Sequence, residues 1–168
     1  MSNIVIIGCG RSGTKFISRH LGLGHEKLED SGLACWQSVV DGNGIYDIQP
    51  GDFVLHQVRN PLDVISSCHT ILMQESWDLI HEHIPSINED DSLLSKCMKY
   101  WYYWNRMAED RALATYRVED VSSDVSQSTN TRQKWDTYKR VEWADLKRED
   151  RKLWKAIRKL AVTYGYDV

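Results

Sequence analysis

The sequence predicts an α/β protein, three layers deep (α/β/α), with helices on both faces of a central parallel sheet. Short runs rich in β-branched residues, at 4–7 and 53–58, read as strands buried on both faces. Segments of helical spacing alternate with them, which is the order of a parallel sheet joined by crossover helices. A glycine-rich turn, residues 8–14, connects the first strand to the first helix.

The elements follow in order. The strand at 4–7 leads into a helix beginning near Ser12 and ending at Gly22-Leu23-Gly24. Residues 25–29 read as a short strand or turn, and 33–40, "LACWQSVV", have helical spacing. "DGNG" at 41–44 is a turn signal. After the strand at 53–58, Pro61 suits the first turn of a helix, where its missing N–H costs nothing. Residues 62–83 read as mostly helical, with Pro85 as a breaker, and a strong helix follows at 92–112. A strand at 114–121 precedes a polar loop at 122–134, and a final helix covers 145–164 with its apolar residues along one side. The aromatic stretch 99–107 lies on a long helix and reads as core, with Trp101 and Trp104 burying together.

At 168 residues the chain reads as one domain, 1–168, able to bury a single core. A net charge of −3 gives no global reason to expect nucleic acid or an anionic membrane as partner, so an anion site must be a local concentration of positive charge. The four cysteines, at 9, 35, 68 and 97, lack any C-x-x-C pairing and read as reduced core residues. With no basic and apolar leader and no long apolar run, the expected location is cytoplasmic.

The turn "GCGRSGTK", 8–15, carries the chemistry. Gly8, Gly10 and Gly13 allow positive φ and close backbone approach. The helix N-terminus brings unpaired N–H groups and the positive end of a dipole, which suit an anion. Arg11 and Lys15 add charge, and Ser12 and Thr14 add hydroxyls. The spacing approaches a Walker A loop, but the last two residue types are exchanged. No carboxylate ends the strand at 53–58, and Glu119-Asp120 is a weak substitute for the acid that would hold magnesium. A second strand exit, "RNPLDVISS" at 59–67, sets Arg59 and Ser67 around a helix start, an arginine–hydroxyl pair suited to phosphate.

Together, "RSGT" at 11–14 and "RNPLDVISS" at 59–67 resemble the sulfotransferases that use 3′-phosphoadenosine 5′-phosphosulfate (PAPS). "YRVEDV" at 116–121 and, loosely, "WADL" with "YGY" near the C-terminus extend the resemblance over most of the chain. It implies the P-loop NTPase-like sulfotransferase fold. It implies a small enzyme moving the sulfuryl group of PAPS to a hydroxyl or amine on a small-molecule or glycan acceptor, releasing adenosine 3′,5′-bisphosphate, with no metal required. It places the 5′-phosphosulfate on Gly10, Arg11, Ser12, Gly13, Thr14 and Lys15, and the 3′-phosphate on Arg59 and Ser67. Arg11 stands where many relatives have a lysine and would neutralise the leaving phosphate, with Lys15 assisting. The C-terminal "GxxGxWK" segment of the cytosolic branch is absent, and Arg132 with Lys134 could cover the 3′-phosphate instead. His25 and Glu26, at the carboxyl edge of the sheet, are the expected general base, with His56 next. The alternatives are a nucleotide-binding protein of the same fold without catalysis and, less favoured, an ATP-dependent small-molecule kinase. The acceptor and the oligomeric state are not readable from the chain.

Overall fold

The computed structural model describes residues 2–71, 74–121 and 136–168. The chain divides into two compact units, Met1–Arg59 with Asn105–Asn130, and Asn60–Trp104 with Thr131–Val168.

The first unit is α/β, built on a five-stranded, all-parallel sheet. Its strands are β1 (Ile4–Ile7), β2 (Gly24–His25), β3 (Leu33–Ala34), β4 (Phe53–Val58) and β5 (Ala114–Arg117), in the order β2-β3-β1-β4-β5. β1 is central because every residue after Ile4 is apolar and buried, so both faces need cover. α1 (Thr14–Leu21) supplies that cover on one face, where Ile17 packs with Ile6, Leu23 and Ala34. Phe16, Leu55, Tyr116 and Val121, partly buried, pack against this patch. Gly22 ends the helix in the left-handed conformation, φ 69°, its N–H returning to the Ser18 carbonyl. On the opposite face His56 meets Asn105 of the long helix α4 (Leu93–Arg111). Pairing of Ile7 with His56 and of Val58 with Arg117 aligns the carboxyl ends of β1, β4 and β5 along one edge.

The second unit is helical. It contains α2 (Pro61–Cys68), α3 (Gln74–His83), the first part of α4, α5 (Trp143–Glu149) and α6 (Arg151–Thr163). Tyr100, Trp101 and Trp104 of α4 are fully buried in it, as the aromatic stretch predicts. Trp104 packs edge-on against Tyr100 and His83, and Trp101 against Tyr164. All four cysteines are buried thiols. Among the described residues no helix is long and apolar enough to cross a membrane.

Three element assignments are corrected. The helical spacing of 33–40 yields instead the strand β3, paired with Val5 and Ile6 of β1, and one 3-10 turn at Gln37–Val39. Two apolar residues fit either period, and a buried sheet position decides between them. The strand expected at 114–121 stops at Arg117, and Val118–Asp120 form another 3-10 turn. The final helix is two helices, because Asp150 is extended (φ −148°) and its carboxylate accepts the N–H groups of Lys152 and Leu153, starting α6 afresh.

Candidate functional site: the turn after the first strand

From β1 the chain passes to β2 and β3 on one side, and only then to β4 and β5 on the other. The carboxyl ends of β1 and β4 therefore flank a topological switch point, where open parallel sheets leave a crevice for ligands. The turn between Ile7 and Thr14 lies there.

Its backbone curls tightly. The Ser12 N–H donates to the Cys9 carbonyl at 3.1 Å, Arg11 is left-handed at φ 73°, and Gly13 is left-handed at φ 95°. A non-glycine residue held at positive φ is uncommon and requires its surroundings to hold it. Gly13 is the N-cap of α1 and, having no side chain, caps nothing. The first N–H groups of a helix have no intrahelical acceptor, so this N-terminus is left for an external one. Ser12 adds a hydroxyl that is buried, at 1% residue exposure, yet has no hydrogen-bond partner. That oxygen lies over Gly8, 3.3 Å from where a Cβ would stand, and hence within the curl. Arg11 is half-buried, Gly10 and Thr14 are buried, and Lys15 is exposed.

Beneath the turn, β4 and β5 hold it. Gln57, fully buried, donates from Nε2 to the Ser12 carbonyl at 2.8 Å, and the Tyr116 hydroxyl donates to Gln57 Oε1 at 2.7 Å. Arg59 donates from Nη1 to the Arg11 carbonyl at 3.3 Å. Gly8 is required by the same closeness, since a Cβ there would sit 2.2 Å from the Gln57 carbonyl oxygen. Sequence reasoning missed Gln57 and Tyr116; the available signal was a glutamine inside a strand whose neighbours are mostly apolar.

At the other side of α1's first turn stand the two expected base residues. His25 Nε2 lies 3.4 Å from Thr14 Oγ1 and 3.9 Å from Glu26 Oε1. Burial lowers the His25 pKa below the ordinary imidazole value; Glu26 works against that, and Lys15 and Arg19 reinforce it. A neutral imidazole at neutral pH is the form able to take a proton. Glu26 is itself left-handed at φ 56°, its N–H reaching the Ala34 carbonyl. His56, by contrast, is buried within β4. Its ring nitrogens meet Thr115 Oγ1 at 3.0 Å and Asn105 Oδ1 at 3.1 Å, and burial drives its pKa down to about 4.

The second expected phosphate segment is divided between the units. Arg59, 5% exposed, directly follows β4 in the first unit. Ser67 is on α2 in the second, where its carbonyl accepts from the Thr70 N–H and hydroxyl. The α2 N-terminus is already capped by the Asn60 side chain, which accepts the Leu62 N–H at 3.0 Å. The neighbouring Ser66 hydroxyl donates to the Leu62 carbonyl and accepts from the Val141 N–H. Arg132 and Lys134 lie outside the described residues. Asp120, weighed above as a metal-holding acid, accepts from the Arg117 guanidinium at 2.8 and 2.6 Å.

Compared with protein-family models, curated proteins and solved structures, the chain matches none.

Proposed function

We propose that the turn after β1 holds the phosphate end of a nucleotide, and that the chain is a small sulfotransferase with the P-loop-like fold of that family. One observation carries this reading. An uncapped helix N-terminus, two left-handed residues and a buried hydroxyl without a partner converge at the switch point of a parallel sheet. An anion with several acceptor oxygens would supply what each of those groups lacks. The choice of nucleotide rests on the likeness of 11–14 and 59–67 to the PAPS-dependent enzymes, which assigns the 5′ end to Gly10–Lys15 and the 3′-phosphate to Arg59 and Ser67.

PAPS, when bound, supplies a sulfuryl group on a phosphate leaving group. The residues of this chain then have separate tasks. The α1 N-terminus and the Ser12 hydroxyl bind phosphate oxygens. Arg11, a guanidinium at the mouth of the turn, stabilises charge that grows on the leaving oxygen. His25, held neutral by burial, takes the proton of the acceptor hydroxyl or amine, and Glu26 beside it stabilises the imidazolium that results. The Arg117 clamp on Asp120 disfavours the kinase reading, since that carboxylate already has its cation.

The test is a thermal-shift series without magnesium. Adenosine 3′,5′-bisphosphate is expected to raise Tm more than ADP or AMP does, by linkage of binding to the folded state. Equal shifts would remove the 3′-phosphate from the reading, and no shift with any of them would remove the anion site. Transfer from labelled PAPS to a panel of hydroxyl and amine compounds then separates an enzyme from a binding protein.

A further inference from the structure

We propose that Gln57, braced by Tyr116, is the positioning residue that sets the anion affinity of the turn. This rests on the reading of the turn as an anion site. A trans peptide points its C=O and N–H in opposite directions. The Ser12 carbonyl is held towards β4 by Gln57 Nε2, so the N–H of the same peptide, that of Gly13, is turned away from the sheet and out beside the first N–H groups of α1. The Ser12 N–H itself goes to the Cys9 carbonyl, so the Gly13 N–H is the one whose direction Gln57 decides. Tyr116 matters because an amide can present either end. With the tyrosine hydroxyl donating to Oε1, the end left for the turn is the donor. Arg59 pulls the preceding carbonyl, that of Arg11, in the same way. The pair Gln57–Tyr116 thus preorganises the site without touching the anion, and lowers the cost of ordering the turn when one binds.

Gln57→Glu tests this. The replacement keeps the shape and still accepts from Tyr116, but an ionised carboxylate presents an acceptor to the Ser12 carbonyl, and the peptide is repelled. Once protonated, the new carboxyl can donate again. The charged and titratable groups around it, among the described residues, are Tyr116 from β5, Arg59 just past β4, Arg11 in the turn, Lys15 in the first turn of α1, and His25 and Glu26 at the end of β2. These are common to variant and wild type, so the ratio of the two affinities isolates the substituted side chain. By calorimetry with adenosine 3′,5′-bisphosphate, the variant is expected to bind on the order of 30-fold weaker at about pH 8, the scale of losing a buried donor. At about pH 5 the ratio should shrink to about 3-fold as the carboxyl protonates. A ratio that does not change with pH overturns the proposal while leaving the anion site standing. A wild type that does not bind at all overturns both. Tyr116→Phe, which leaves Gln57 in place without its brace, covers a variant that fails to fold. It is expected to lose about 5-fold in affinity, roughly one neutral hydrogen bond, and an unchanged affinity would overturn the brace.

Discussion

The chain leaves its sheet twice through a strand-to-helix turn that the sequence marks for phosphate, after β1 and after β4, and the two turns are built in opposite ways. After β1, the helix starts at a glycine with no side chain to cap it, and a buried serine hydroxyl beside it lacks a partner. After β4, the helix starts with Pro61, which has no N–H, and Asn60 accepts the next one, from Leu62. The arginine at that exit is buried and donates to the carbonyl of Arg11 in the first turn. The same local order of strand, turn and helix therefore leaves one helix N-terminus uncapped and caps the other with Asn60, so a 3′-phosphate at the second turn would be held by the side chains of Arg59 and Ser67 and not by that N-terminus. A phosphate motif is a motif only where its donors lack internal acceptors.

Closing the open turn is the most direct way to break the contrast. Gly13→Asp places a carboxylate at the α1 N-cap, where it competes for the N–H groups and repels an incoming phosphate. Bisphosphate binding is expected to weaken on the order of 100-fold, about 3 kcal/mol. Titration calorimetry would show it; affinity within about 3-fold of wild type would mean that the N-terminus is not where the anion sits.

The strand shared by both turns gives a second, pH-dependent test. The His56 pKa is lowered by burial to about 4 in the folded protein, against 6.5 when unfolded. Between those values the unfolded chain binds the proton and the folded one does not, so stability is complete above pH 6.5 and falls as pH drops towards 4. Burial lowers His25 and His69 as well, adding to the loss in the same direction. Asp52 and Asp91, whose pKa values are held low by hydrogen bonds that outweigh their desolvation, lose their contribution only below the ordinary carboxylate range. Chemical denaturation is expected to lose about 2 to 3 kcal/mol from His56 across the window, and His56→Gln to flatten that part of the profile. A wild-type profile that is flat from pH 6.5 to 4 would contradict the burial of His56 as a neutral ring.

Opening the closed turn has the smallest effect. Asn60→Ala removes the α2 cap and should cost ~1 kcal/mol of stability, with bisphosphate affinity unchanged. A large loss of affinity in this variant would bring the α2 N-terminus into the anion site and erase the contrast between the turns.

How far the site can be read from the chain follows from where each interaction closes. The turn after β1 is local: glycine spacing, a helix start without a capping side chain, and Arg11 and Ser12 all lie within seven residues, 8–14. His25 and Glu26 are reached because α1 carries the chain back from the carboxyl edge and β2, parallel to its neighbours, brings it up again. Gln57 and Tyr116 are invisible in that sense, since they meet the turn across 45 and each other across 59 positions. The 33–40 segment failed for the same reason: its strand exists only by pairing with β1.

By itself the sequence determined the class of the fold, the place of the glycine-rich turn after β1, and the burial of the cysteines and of Tyr100, Trp101 and Trp104 in the aromatic stretch. Each follows from neighbours along the chain, through β-branched runs, glycine at positive φ and apolar periodicity. Tertiary structure decided which of the two phosphate-like turns keeps its donors open, and which strand aims them. A side chain's donors can be counted from the sequence, but whether the fold already supplies their acceptors depends on groups brought together from distant positions. The contact of Arg59 Nη1 with the Arg11 carbonyl, 48 positions away, is of this kind: the sequence gives the guanidinium, and only the fold brings it to the first turn.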